Sequence, residues 1–201
     1  IIPLKRSGKG KGLPVRKRVS VDRALLRLIG FYLAEGHVHA SERGLHLRFS
    51  FGKHEKEYIE DVAQSLTNIF GIVSYKEEKT TAITVGANSS IVASFFRQFG
   101  SGAGKKKIPI WLLYLPVEKQ RQMLEAYWKG DGCFDKKHNI LRASTISPAL
   151  AFGLRLILHR LGIIHGLSLR SATPSVIDGR RIRNGPYYEL RVSGPSALHL
   201  A

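Results

Sequence analysis

Leu28-Ile-Gly-Phe-Tyr-Leu-Ala-Glu35-Gly36 and Leu124-Glu-Ala-Tyr-Trp-Lys-Gly-Asp131-Gly132 decide the reading of this 201-residue chain. Each stretch sets small residues four apart, Gly30 and Ala34 in the first, Ala126 and Gly130 in the second. Residues at i and i+4 share a helix face, so each segment offers a stripe where another helix backbone can approach closely. Leu26, Ile29 and Leu33, with Met123 and Tyr127, add apolar surface beside the stripe. An acid then ends each helix, followed by glycine, the residue best suited to a left-handed cap. A carboxylate at the negative end of a helix dipole is disfavoured, and a second one nearby adds repulsion. A hard divalent cation resolves that conflict, so Glu35 and Asp131 read as a metal-binding pair.

Outward from these segments the chain repeats itself. Periodicity predicts a helix over 21–35 with Asp22 as N-cap, and a half-buried strand over 45–51, where Leu45, Leu47, Phe49 and Phe51 alternate with polar residues. A helix over 54–70, strands near 73–77 and 80–85, and a helix over 89–99 follow. The second half gives a helix over 118–130, a strand over 140–145, a helix over 148–161, and strands near 166–171 and 187–193. Phe70-Gly71-Ile72 matches Leu161-Gly162-Ile163, and residues 82–86 match 189–193. The expected fold is therefore α/β of the α+β type, two α-β-β-α-β-β-α units with a basic N-terminal arm at 1–20. The units span 21–100 and 118–201, joined by a linker at 101–117. The run GSGAGKKK at 100–107 fits no phosphate-loop spacing and follows a predicted helix, which excludes a nucleotide site there.

Thirty-two Lys and Arg against 15 Asp and Glu give a net charge of +17. Such an excess points to nucleic acid, whose binding is driven by counterion release. No apolar run is long enough to span a membrane, no signal-peptide pattern opens the chain, and no basic amphipathic helix suggests a membrane surface. The single cysteine, Cys133, excludes an intramolecular disulfide and a cysteine-cluster zinc site. An intracellular, cytoplasmic protein is expected. The scarcity of Cys and Met, one of each, fits a thermophilic prokaryote.

Both motif segments resemble the LAGLIDADG motif of homing endonucleases, ending in that family's acid-glycine pair. Lys107-Ile-Pro-Ile-Trp-Leu-Leu resembles the family's inter-domain connection. Ser144-Thr-Ile-Ser-Pro-Ala-Leu-Ala, leading into a helix that ends Leu-Gly-Ile, does so as well. The resemblance runs from about residue 22 to the end. It implies motif helices paired at a pseudo-two-fold axis, and antiparallel sheets forming a saddle along the major groove of double-stranded DNA. It also implies metal-dependent hydrolysis that leaves short 3′ overhangs. On that footing Glu35 and Asp131, helped by the carbonyls of Ala34 and Gly130, hold Mg²⁺ or Mn²⁺. Lys53 stands where the family keeps a basic residue near the attacking water, and Ile146-Ser147-Pro148 offers no counterpart in the second half.

Strand alternation assigns DNA contacts to His46, Arg48, Ser50 and Lys76, and with them Thr84, in the first unit. In the second it assigns Arg142, Ser144, Ser168, Arg170, Glu189 and Arg191, with Arg180, Arg181 and Arg183 in a long hairpin loop. Two motifs in one chain imply a monomer. A free-standing, intron-encoded enzyme is expected rather than one embedded in an intein. An RNA-binding intron splicing cofactor and a non-cleaving DNA-binding regulator stand as alternatives on the same scaffold.

Overall fold

The computed structural model describes residues 15–171 and 185–200 (His199 by its backbone alone), with the backbone of 2–3, 175–177 and 180–182. Much of the proposed arm, residues 4–14, and Arg183 lie outside the described residues, as do the side chains of Arg180 and Arg181. A short antiparallel pair, β1 (Ile2–Pro3) and β2 (Arg18–Val19), precedes the first unit. Helix α1 (Arg23–Glu35) starts at Asp22, whose carboxylate accepts from the Leu25 N–H at 3.0 Å. It runs straight into β3 (Gly36–Ser41), which hairpins to β4 (Gly44–Gly52). Helix α2 (Lys56–Phe70), strands β5 (Tyr75–Glu78) and β6 (Ala82–Ala87), and α3 (Ser90–Phe96) complete the unit.

The linker carries a short helix, α4 (Ile110–Leu113), before the second motif helix, α5 (Val117–Asp131). Then come β7 (Gly132–Asp135), β8 (Ile140–Thr145), α6 (Pro148–Arg160) and β9 (His165–Arg170). Ser147 caps α6 through its hydroxyl, ahead of Pro148 in the first turn. A β10–β11 hairpin (Ser175–Ile177, Arg180–Ile182), β12 (Tyr187–Ser193) and α7 (Pro195–Leu200) follow. The sheets are antiparallel, ordered β3-β4-β6-β5 and β7-β8-β12-β9. With the β10–β11 hairpin taken as an insertion, the two topologies are identical, and each unit is α-β-β-α-β-β-α.

Three local expectations are corrected. Gly36 and Gly132 are extended (φ −88°, ψ 151°; φ −86°, ψ 143°), so neither forms a left-handed cap. A Cβ there would come within 2.3 Å of the Tyr32 ring and 2.1 Å of the Trp128 carbonyl, so close approach calls for glycine at both places. Left-handed glycines instead follow the second helix of each unit, Gly71 at φ 71° and Gly162 at φ 67°. Strands β3 and β7 escaped the pattern because each begins at the glycine read as a helix stop. Finally, β5 and β6 start two residues later than predicted.

Helices pack on one face of each sheet, and α1 lies along α5 at the centre. A Cβ on Gly30 would sit 2.3 Å from the Met123 carbonyl oxygen and 2.7 Å from Ala126 Cβ. One on Gly130 would sit 2.6 Å from Ala34 Cβ. The four small residues thus set backbone against backbone, while Leu26, Ile29, Leu33, Met123 and Tyr127 are buried around them. Among the described residues no helix is long and apolar enough to cross a membrane.

Because the Gly30 neighbours include main chain, Gly30→Val must force the helices apart, costing about 3 kcal/mol or more. Gly166→Ala, where a Cβ meets nothing within 4 Å, should change stability by under about 0.5 kcal/mol. Chemical denaturation of both variants checks the contrast, and equal losses would contradict the close-approach account.

Candidate active site and nucleic-acid interface

The pairing of α1 with α5 carries Glu35 and Asp131 to the same end of the seam. A cleft of about 280 Å³ opens there, lined by Leu33, Ala34, Lys106, Asp131, Ser144, Thr145, Ile146 and Tyr187 among others. Burial pushes Glu35 up to about 7, with Asp131 and then Glu55 adding repulsion and Lys106 opposing. Asp131 opens to solvent at the lip of the cleft, but protein packed round its other sides raises it to about 6, against Lys106. The Tyr127 hydroxyl lies near enough to favour the charged Asp131, yet the pair falls short of ordinary hydrogen-bond geometry.

Lys106 is the cation that faces both acids, and sequence reasoning missed it. It is only 4% exposed. Its ammonium donates to the carbonyls of Tyr32 and Gly36 and sits 3.9 Å from the centre of the Tyr32 ring. Burial lowers it to about 7, and the two carboxylates pull the other way. Its own carbonyl accepts from Ser147 Oγ at 2.6 Å, pinning it to the second unit. Nothing in three consecutive lysines says which one turns inward. A 3₁₀ turn ends at Lys105, and beyond it Lys106 and Ile108 are buried while Lys107 is exposed.

Lys53 is engaged by a carboxylate. Its ammonium bonds Glu78 Oε1 at 2.6 Å, at the exposed end of β5. Among the described residues no group of three or more His, Cys, Asp or Glu gathers to hold a metal. The donor set fits a hard divalent cation nonetheless. Two carboxylates share one buried ammonium, so one negative charge is left over beside the carbonyl ends of two helices.

The sheets leave their second faces open. On the first, His46, Arg48 and Ser50 share the open face with His37, His39 and Tyr75, as the register requires. Lys76 does not: it pairs with buried Val85, faces the helix layer, and forms an ion pair with Glu60 of α2. Thr84 has the right face but is 2% exposed. The His46 ring is committed at both nitrogens, to Ser41 Oγ and Asn88 Oδ1, each at 2.8 Å. On the second sheet Arg142, Ser144, Ser168, Arg170, Glu189 and Arg191 share the open face, joined by Tyr187. Arg170 donates through Nε and Nη2 to Glu189 Oε1 at 3.2 and 3.0 Å.

The raised acids make stability depend on pH. In the unfolded chain Glu35 and Asp131 titrate at their ordinary values, 4.5 and 3.8, against about 7 and 6 when folded. Their contribution is complete below the unfolded values and is lost as pH rises through 6 to 7. In metal-free protein, Glu35→Gln should therefore gain thermal stability over the parent between pH 4.5 and pH 8. Adding Mg²⁺ at pH 8 should narrow the gap by stabilising the parent. A gap independent of pH in melting experiments would contradict this electrostatic picture.

The LAGLIDADG-like domain family matches residues 22–100 and 118–201. An iron-sulfur cluster assembly SufBD family protein of Mycobacterium bovis is 32% identical over 187 residues, 90% of this chain and 22% of that protein. The DNA polymerase II large subunit of Thermococcus kodakarensis is 34% identical over 151 residues, 73% of this chain and 8% of that protein. The chain thus spans about a fifth or less of the length of these curated relatives. In fold, the crystal structure of I-DmoI in complex with DNA and Mn matches with a TM-score of 0.64 at 13% identity, covering 90% of this chain and 94% of that one. By duplicated motif, sheet topology and sequence, the chain belongs to the LAGLIDADG-like domain family.

Proposed function

We propose that this chain is a site-specific DNA endonuclease that makes double-strand breaks by metal-dependent phosphodiester hydrolysis, leaving short 3′ overhangs. The observation that carries the reading is that duplicated helices bring Glu35, packed against Gly130, into electrostatic reach of Asp131, which lines a cleft beside the open face of the second sheet. The deposit of DNA along the open sheet faces would set both strands near the acids. Glu35 and Asp131, with the carbonyls of Ala34 and Gly130, would hold Mg²⁺ or Mn²⁺. Such an ion, when bound, supplies Lewis-acid polarisation of the phosphate and a water of lowered pKa. Lys106 acts as a positioning residue: its ammonium clamps the C-terminal turn of α1 and offsets the charge of the paired acids. The seam is filled within one chain, which supports a monomer.

The relatives favour a second reading of the gene. Two proteins whose names share no activity each carry the matching stretch as a small part of a longer chain. That supports an element carried in frame within a host protein, as in an intein, rather than a free-standing intron-encoded enzyme. Reading frames continuing without a stop codon on both sides of the coding sequence would support it, and intron boundaries would overturn it.

Incubating the protein with a library of duplex targets, with Mg²⁺ or with chelator, and sequencing the cut ends tests the function. Mg²⁺-dependent breaks at one long site are expected. Tight DNA binding without cleavage would favour the regulator, and selective intron RNA binding the splicing cofactor. Glu35→Gln and Asp131→Asn should each leave at least one strand uncut, and double-strand cutting by both would sink the assignment. Lys106→Met should keep DNA affinity while slowing cleavage by about 100-fold or more, the scale of a lost electrostatic group in a closed site. Cleavage at the parent rate would remove Lys106 from the machinery.

A further inference from the structure

Counted from the motif glycines, the two sheets place a leucine, an arginine and a serine at the same points. In the first, Gly36 pairs with Phe49 and His37 with Arg48. In the second, Gly132 pairs with Ala143 and Cys133 with Arg142. The strands beside the motif hairpins therefore align as Leu47-Arg48-Phe49-Ser50 and Leu141-Arg142-Ala143-Ser144, one pattern written twice. Ser50 and Ser144 lie nearest the acids, and the arginines stand one step outward on the open faces.

Neither guanidinium is used up by the protein. Buried Arg48 Nε has no hydrogen-bond partner, and Arg48 makes no ion pair among the described residues. Among the described residues Arg142 has one ion pair, with Asp135 at 3.7 Å, too long for a hydrogen bond. Elsewhere the chain does engage its arginines, as in Arg27 with Asp61 and Arg170 with Glu189. A duplicated, unspent donor fork on a groove-facing sheet suits the O6 and N7 acceptors of guanine, which arginine binds in bidentate fashion.

The match stops one step further out. His46, held by Ser41 and Asn88, stands opposite in the repeat to Ile140, which is 5% exposed. Along the arginine rows the neighbours differ too. Tyr75 lies across Gly86 in the first sheet, whereas Arg191 stands beside Gly166 in the second. A two-residue step along a strand covers ~7 Å, about two base pairs of duplex at ~3.4 Å each.

We propose that the DNA target carries a guanine on each side of its centre, at mirror-related positions in opposite strands, read by Arg48 and Arg142, while its outer positions differ between halves. The proposal rests on the endonuclease reading and specifies its substrate: an inverted repeat at the core of an otherwise asymmetric site.

The test is a selection from randomised duplexes, scored for binding in Ca²⁺ and for cleavage in Mg²⁺. It uses the parent, Arg48→Ala, Arg142→Ala and the corresponding lysine variants. The parent should enrich guanine at one mirror-related pair of positions. Arg48→Ala should lose that preference in one half-site and Arg142→Ala in the other, each by roughly tenfold or more. Lysine keeps the charge and can still reach O6 and N7 but lacks the fork, so Arg48→Lys and Arg142→Lys should retain affinity and keep a weaker guanine preference than the parent. A selected target without mirror-related guanines would overturn the proposal. So would alanine variants that weaken every sequence alike and flatten the salt dependence, the mark of phosphate contacts. Selection of no duplex at all would strike down the endonuclease reading itself.

Discussion

Everything in this molecule hangs on the approach of two helix backbones, made possible at Gly30, Ala34, Ala126 and Gly130. A gap of about 0.5–1 Å between packed atoms forfeits roughly a quarter to a half of their dispersion attraction, so a seam this close resists sliding and splaying. Large buried side chains flank it, including Leu26, Ile29, Tyr32, Met123 and Tyr127. That rigidity is needed at one end, where the helices deliver two carboxylates side by side. The direct passage of each helix into a strand, through an extended glycine, ties the sheets to the same axis. The open-face residues and the acids are thus positioned by one piece of packing.

Against that stability stands the electrostatics of the seam's end. Two acids at helix C-termini repel one another and the local dipoles, and burial raises both. Lys106 offsets part of this, but it is itself buried and lowered, so no member of the trio rests in its preferred state. Such a cluster is a poor stabiliser. A divalent ion held there would relieve repulsion already present.

Much of this was legible in the sequence for definite reasons. Asp22 announces the start of α1 by its capping chemistry, and the alternation from Leu45 to Phe51 announces β4. The repeat was readable because both copies keep the small-residue stripe and the acid-glycine ending. Strands β3 and β7 were hidden because a glycine that ends a helix looks the same whether the chain turns away or runs on extended. Lys76 went to the wrong face because the aromatic Tyr75 beside it takes the open side, while Lys76 turns to α2 and pairs with Glu60. Lys106 was hidden more deeply. Its burial depends on where the linker is tied, through Tyr32 to Gly100, Ser101 to Val38 and Ser147 to Lys106, and no local pattern encodes those bonds.

Lys106 belongs to the connector, and a chain made of two tandem copies has only one connector. Helices, sheets, acids and open-face arginines can all be doubled by copying a gene segment. A group carried between the copies cannot. Fusion of two equal halves thus gives the scaffold a direction that neither half had, and later divergence of the sheets acts on a centre already polarised. A permuted chain, opened at this connector and closed at its ends, would keep the twofold architecture and lose the anchorage of that single charge.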